Sequence, residues 1–105
     1  MERDIDILKY LPLTETTYYT MLALQTPLHG YAVMQKVDEI SQGTVKLGAG
    51  TLYGAFVQLE KEHLIEKVSE EERRKNYQLT DAGRRLLRSQ VDRLKIMVKA
   101  GENLL

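Results

Sequence analysis

The sequence predicts a mainly α, α+β fold: a run of helices, interrupted past its middle by one β-hairpin and closed by one long helix. Three observations carry that prediction. The stretch Leu64 to Thr80, LIEKVSEEERRKNYQLT, runs outward through Glu66, Lys67 and Val68, reverses in a charged tip and returns through Tyr77 and Leu79. The Tyr77-x-Leu79 alternation is that of a half-buried strand. Apolar residues at helical spacing lie before and after this hairpin. Last, Leu87, Val91, Leu94, Val98 and Leu105 recur in the steps of a heptad seam, with Gly101 in the vacant slot. A small helical unit with one exposed basic hairpin after a helix is the outline of a winged helix-turn-helix domain. Residues 1–79 would form that domain, with an N-terminal arm or helix. Residues 80–105 would form a dimerisation helix within the same compact unit.

Length and composition narrow the classes. A chain of 105 residues has room for one core. Hydrophobic content of 43% and charged content of 29% are ordinary for a globular chain. No apolar run approaches the roughly 20 residues of a membrane helix. The opening MERDIDILKY lacks a signal peptide's apolar core. There are no cysteines, so disulfide and thiol chemistry are excluded. A cytoplasmic protein with no membrane partner is the expectation. The net charge is zero but segregated. Residues 1–72 hold 6 Lys/Arg against 12 Asp/Glu, whereas residues 73–99 hold 9 Lys/Arg against 2 Asp. A segregated positive field can attract phosphates even on a neutral chain, because charges act locally in salt. The plainer reading of Arg84, Arg85, Arg88, Arg93, Lys95 and Lys99 is the wetted face of the last helix.

In chain order, Ile5, Ile7, Leu8 and Leu11 before Pro12 suggest a short helix or an arm packed on a neighbour. Thr14 caps a helix to about Leu24, which the Thr26-Pro27 pair ends. His29-Gly30-Tyr31 opens a second helix to about Ser41. Val33, Val37 and Ile40 form its apolar stripe, and Gly43 is a left-handed stop. Val45-Lys46-Leu47 reads as a three-residue strand able to pair with the hairpin. A third helix begins at Gly50 or Thr51 and runs to about Glu62. Leu52, Ala55, Phe56 and Leu59 face inward, leaving Thr51, Tyr53, Gly54, Val57 and Gln58 outside. His63, where helix turns into strand, is expected at positive φ. Thr80-Asp81 caps the last helix.

Enzymatic readings fail on inventory. His29 and His63 have no ligand-spaced companions, no phosphate-loop lysine follows the glycines, and Glu70-Glu71-Glu72 reads as a solvated turn. No metal and no cofactor are expected. Double-stranded DNA is the expected partner: glycines before the third helix leave its N-terminal amides open to a phosphate, and a basic wing follows. In such folds the third helix enters the major groove and the wing takes phosphates or the minor groove. The candidate DNA-binding residues are Tyr31, Lys46, Gly50, Thr51, Tyr53, Gln58, Arg73, Arg74 and Lys75. Plainer readings stand beside them: Tyr53 as a half-buried core ring, Tyr31 as a staple between helices. The last helix is longer than a domain this small covers, so Leu87, Val91, Leu94, Met97, Val98 and Leu105 are expected at a homodimer seam. Tyr18, Tyr19 and Met97 are candidate lining for an effector pocket there, with Met21 and Ile96 near by. The rival function is a winged-helix module that docks its wing on an acidic protein.

The motifs His29-Gly30-Tyr31, Gly50-Thr51-Leu52-Tyr53, Leu59-Glu60 to Leu64-Ile65, and Arg73 through Gly83 (RRKNYQLTDAG) stand in an order and spacing that resemble the PadR-like transcriptional regulators over nearly the full chain. The resemblance implies a dimeric winged-helix repressor with a single C-terminal dimerisation helix and an inverted-repeat operator. It also implies release from DNA by a small-molecule effector or a dimer rearrangement. Carried onto this chain, Tyr31, Thr51 and Tyr53 would contact phosphates or bases, and Arg74 and Lys75 would be the wing contacts. The family often has glycine where His63 stands here, and often proline at Ala49 and Gly54.

Overall fold

A computed structural model describes residues 6–105. The expected N-terminal arm lies partly outside the described residues, Ile5 included. Its described part is a short 3-10 turn, Ile7–Tyr10. Three helices follow, α1 (Glu15–Ala23), α2 (Gly30–Ile40) and α3 (Ala49–Lys61). A hairpin of β1 (Ile65–Glu71) and β2 (Arg74–Leu79) and a long α4 (Asp81–Leu104) complete the chain.

Local chemistry sets each boundary. The Thr14 hydroxyl accepts the Thr17 N–H at 3.1 Å and starts α1. His29 does the same for α2, its Nδ1 accepting the Ala32 N–H at 3.4 Å. α2 ends with the Gln42 N–H on the Glu39 carbonyl and the Gly43 N–H on the Asp38 carbonyl. That is a Schellman motif. The left-handed residue that opens it is Gln42 (φ 54), one position before the expected Gly43 (φ 78). α3 ends in the same motif: His63 stands at φ 61, and the Leu64 N–H reaches the Leu59 carbonyl at 2.9 Å. The positive φ expected of His63 is found.

Two strands make the sheet, antiparallel, with Ile65 opposite Leu79 and Glu71 opposite Arg74. Val68 is the extra residue of a bulge between Lys67 and Ser69, which bends and twists the wing. The third segment against β2 is not Val45-Lys46-Leu47, as the sequence suggested. Leu28 exchanges both backbone hydrogen bonds with Tyr77 instead. The Val45 N–H donates to the Ser41 Oγ at 3.1 Å, and that hydroxyl also reaches the Val45 carbonyl. The 45–47 backbone is thus partly satisfied locally and forms no strand, while Val45 and Leu47 still bury their side chains.

The core gathers Met21 and Leu24 of the α1 end, Val33 and Val37 of α2, Leu52, Phe56 and Leu59 of α3, and Leu64, Ile65, Tyr77 and Leu79 around the hairpin. The start of α4 closes it with Ala82, Leu86 and Leu87. Thr80 fixes that junction: its Oγ1 accepts the Gly83 N–H at 3.1 Å and donates to the His63 carbonyl at 2.7 Å. Gly83 lies so close to the hairpin that a Cβ there would fall 2.2 Å from the Leu64 carbonyl oxygen. Leu87, expected at a seam between subunits, is therefore a correction. It is buried within its own subunit, because the first turns of α4 are needed to seal the core. Met21, offered as a neighbour of an effector pocket between subunits, is wholly buried in the core.

Candidate nucleic-acid interface

The outer face of α3, the N-terminal turn of α2 and the wing enclose an open groove of about 400 Å³. Tyr31 enters it from α2, Tyr53, Val57 and Glu60 from α3, and Arg73, Arg74 and Lys75 from the wing tip. The 3.6-residue period carries Tyr53, Val57 and Glu60 along one side of α3 while Leu52, Phe56 and Leu59 hold the adjoining side in the core, Phe56 at the floor of the groove. A Cβ on Gly30 would meet the Tyr53 hydroxyl at 2.9 Å, so the glycine lets that ring lie against the start of α2. Tyr53, Phe56 and Tyr77 continue inward as a chain of rings, with centroids 6.2 and 4.9 Å apart.

Among the described residues, the ion pairs are Lys36–Glu39, Lys46–Asp38, Lys67–Glu70 and Arg84–Asp81. Arg73, Arg74 and Lys75 belong to none of them. Their charge faces solvent beside exposed Tyr31 and Tyr53. Arg74 Nη1 lies 3.5 Å from His29 Nε2, so the residue that caps α2 also sits against the wing. The acidic member of the groove is Glu60, whose Oε1 accepts from the Tyr77 hydroxyl at 3.5 Å. Burial raises the Tyr77 pKa above its ordinary 10.0, with the Glu60 carboxylate and then Glu70 adding to the effect.

The structure thus brings Tyr31, Tyr53, Arg73, Arg74 and Lys75 to one groove. Gly50 and Thr51 stand exposed in the first turn of α3, outside it. Gln58 turns the other way, toward Tyr10, Pro12 and Thr17, and donates to Glu62 at 2.7 Å. Lys46 is exposed and held by Asp38 at 2.8 Å. Val57, placed on the outer face of the third helix from sequence, and Glu60 were not among the candidate DNA-binding residues. Val57 could have been: an apolar side chain at an outward position of α3 is itself a signal.

Of the residues expected at a dimer seam, Val91 and Leu94 are half-buried, and Met97, Val98 and Leu105 are exposed. Tyr18 of α1 faces Val91, Leu94 and Val98 across an open groove of about 580 Å³. Tyr19 packs edge-on to Tyr18 with centroids 5.6 Å apart. Neither Tyr19 nor Met97 lines that groove. Among the described residues no cluster of metal-ligating side chains occurs, and no helix is long and apolar enough to cross a membrane.

Four helices with a two-stranded wing after α3 define a winged-helix protein. The same fold is found in a transcriptional regulator from Clostridium thermocellum, with a TM-score of 0.71, 23% identity, and 94% of this chain and 96% of that one covered. A PadR-like transcription factor from Bacteroides fragilis gives 0.71, 24%, 86% and 89%. A PadR family transcriptional regulator from Eggerthella lenta gives 0.68, 25%, 85% and 80%. Residues 18–89 match the model of the transcriptional regulator PadR-like family, and the chain belongs to that family. The family is one of transcriptional regulators. The chain is also 43% identical over 61 residues to an uncharacterized 37.1 kDa protein in transposon TN4556 of Streptomyces fradiae. That match spans 58% of this chain and 17% of that protein.

Proposed function

We propose that this chain acts in the cytoplasm as a homodimeric repressor that reads an inverted-repeat operator in double-stranded DNA. The observation that carries the reading is the unpaired basic tip, Arg73, Arg74 and Lys75, set across one groove from exposed Tyr53 of α3. A helix lying in the major groove presents its first turns to base edges. Gly50, Thr51 and Tyr53 would be there, with the α3 amides free of any side-chain cap and open to a phosphate. The wing would take flanking phosphates. Tyr31, beside the wing, would add a further backbone contact.

Dimerisation rests on α4. Its first turns close the core, and its remaining length carries Val91, Leu94, Met97, Val98 and Leu105 out of it. A second copy would cover those side chains and the groove beside Tyr18. A small-molecule effector held there would change the spacing of the two α3 helices and release DNA.

Selection from a random duplex pool at about 150 mM salt tests the reading, with the Arg73/Arg74/Lys75→Ala variant in parallel. The wild type is expected to enrich an inverted repeat that the variant does not. No enrichment by a folded wild type would sink it, and would favour a wing that docks on an acidic protein surface.

A further inference from the structure

We infer that Val57 is a specificity-determining residue that packs on the C5 methyl of a thymine in the operator. The inference rests on the DNA-reading function proposed above and adds a base identity to it. Val57 is 68% exposed, although α3 has an apolar face fully used by Leu52, Phe56 and Leu59. Three large apolar side chains line the groove between α3 and the wing from outside the core: Tyr31, Tyr53 and Val57. The tyrosines carry hydroxyls that can bond to phosphate or water. Val57 has no polar atom beyond its backbone, so its side chain gains only by meeting an apolar group. On a DNA major groove the apolar group is the thymine methyl.

Position and shape agree with that partner. Val57 follows Tyr53 by one helical turn on the side of α3 that faces Arg73, Arg74 and Lys75. Phosphates held by the wing would fix how deep α3 sits. Valine is short, so contact requires close approach of the helix. Gly54, in the turn before it, has nothing within 4 Å of where a Cβ would stand and leaves the base edge room to come near. Glu60, one turn further on in the same groove, is an acceptor suited to a cytosine amino group and unsuited to a phosphate. The surface about Val57 is therefore one for bases rather than backbone.

The test uses the operator that the wild type selects, with each thymine replaced in turn by deoxyuridine, which removes only the methyl. Wild-type affinity should fall about three- to fivefold at one thymine per half-site, the effect of one buried methyl. Val57→Ala, which loses the contact in both subunits, should bind the unmodified operator more weakly by about the square of that factor and show no further loss at that position. Val57→Thr, which keeps the shape, controls for folding, and both variants should melt with the wild type. If the wild type selects an operator but no position shows this coupling, Val57 reads no methyl and the inference fails while DNA reading stands. If the wild type selects no sequence at all, the DNA-reading function itself fails.

Discussion

An added methyl group has opposite consequences at two glycines of this chain. At Gly83 it would stand 2.2 Å from the Leu64 carbonyl oxygen, backbone that cannot yield without parting α4 from the hairpin. Gly83→Ala should cost about 3 kcal/mol, at the upper end for overpacking. At Gly54 it meets nothing, and alanine is the better helix former by about 1 kcal/mol. Gly54→Ala should therefore raise the urea midpoint while weakening binding to the selected operator. The wing cations make a separate prediction. Arg74→Ala with Lys75→Ala should lower affinity for all duplexes and flatten the log K against log salt slope by about 1 to 2 units per subunit. An unchanged slope would remove the wing from the contact. At this scale the sequence was readable where geometry is local. His63 at a helix end declared its left-handed backbone, since a Schellman stop needs one. Gln58 did not declare its direction. Its place on the outer arc of α3 is shared with Tyr53, and only the packing of α1 and the segment before it decides which of the two faces the wing.

The wing is the element whose local geometry conflicts most with its residue types. Its two-residue turn holds Glu72 at φ 50 and Arg73 at φ 68, the backbone of a type I′ turn, for which Asn-Gly is the favoured pair. A side chain in this region costs roughly 1–2 kcal/mol per residue. Replacing Glu72→Asn and Arg73→Gly should stabilise the domain by about 1–2 kcal/mol in chemical denaturation and weaken duplex binding through the lost cation. Stabilisation with binding unchanged would mean that Arg73 touches no DNA. The hairpin was legible from its alternation and charged tip, and the bulge at Val68 was not, because one unpaired residue leaves no composition signal. The supposed strand at 45–47 was misread for a similar reason. Val45 and Leu47 alternate as a strand would and are buried as one would be. Only the Ser41 hydroxyl on Val45 and the competing pairing of Leu28 with Tyr77 reveal that the backbone is held otherwise.

Over the whole molecule α4 divides into a part that completes the core and a part whose apolar residues stand half-buried or exposed, which the proposed dimer would cover. The heptad steps from Leu87 to Leu105 run through both parts without a break. Sequence spacing alone therefore placed Leu87 at the seam although the core claims it. The division falls near Gln90, whose buried side chain accepts the Leu13 N–H at 3.0 Å and ties α4 to the N-terminal segment. Beyond it, Leu94→Asp puts a charge where a partner would desolvate it. That variant should run as a folded monomer in light scattering, with the winged-helix core intact. A dimer that persists would show that the subunits meet elsewhere.

The most direct measurement compares affinity for the full inverted repeat with affinity for a single half-site, for the wild type and for Leu94→Asp. A dimer that places two copies of α3 about one helical turn of DNA apart, 34–36 Å, should bind the full repeat at least 100-fold more tightly than the half-site. The monomeric variant should lose that advantage and keep its half-site affinity. Equal wild-type affinity for the two duplexes would contradict a paired reading head.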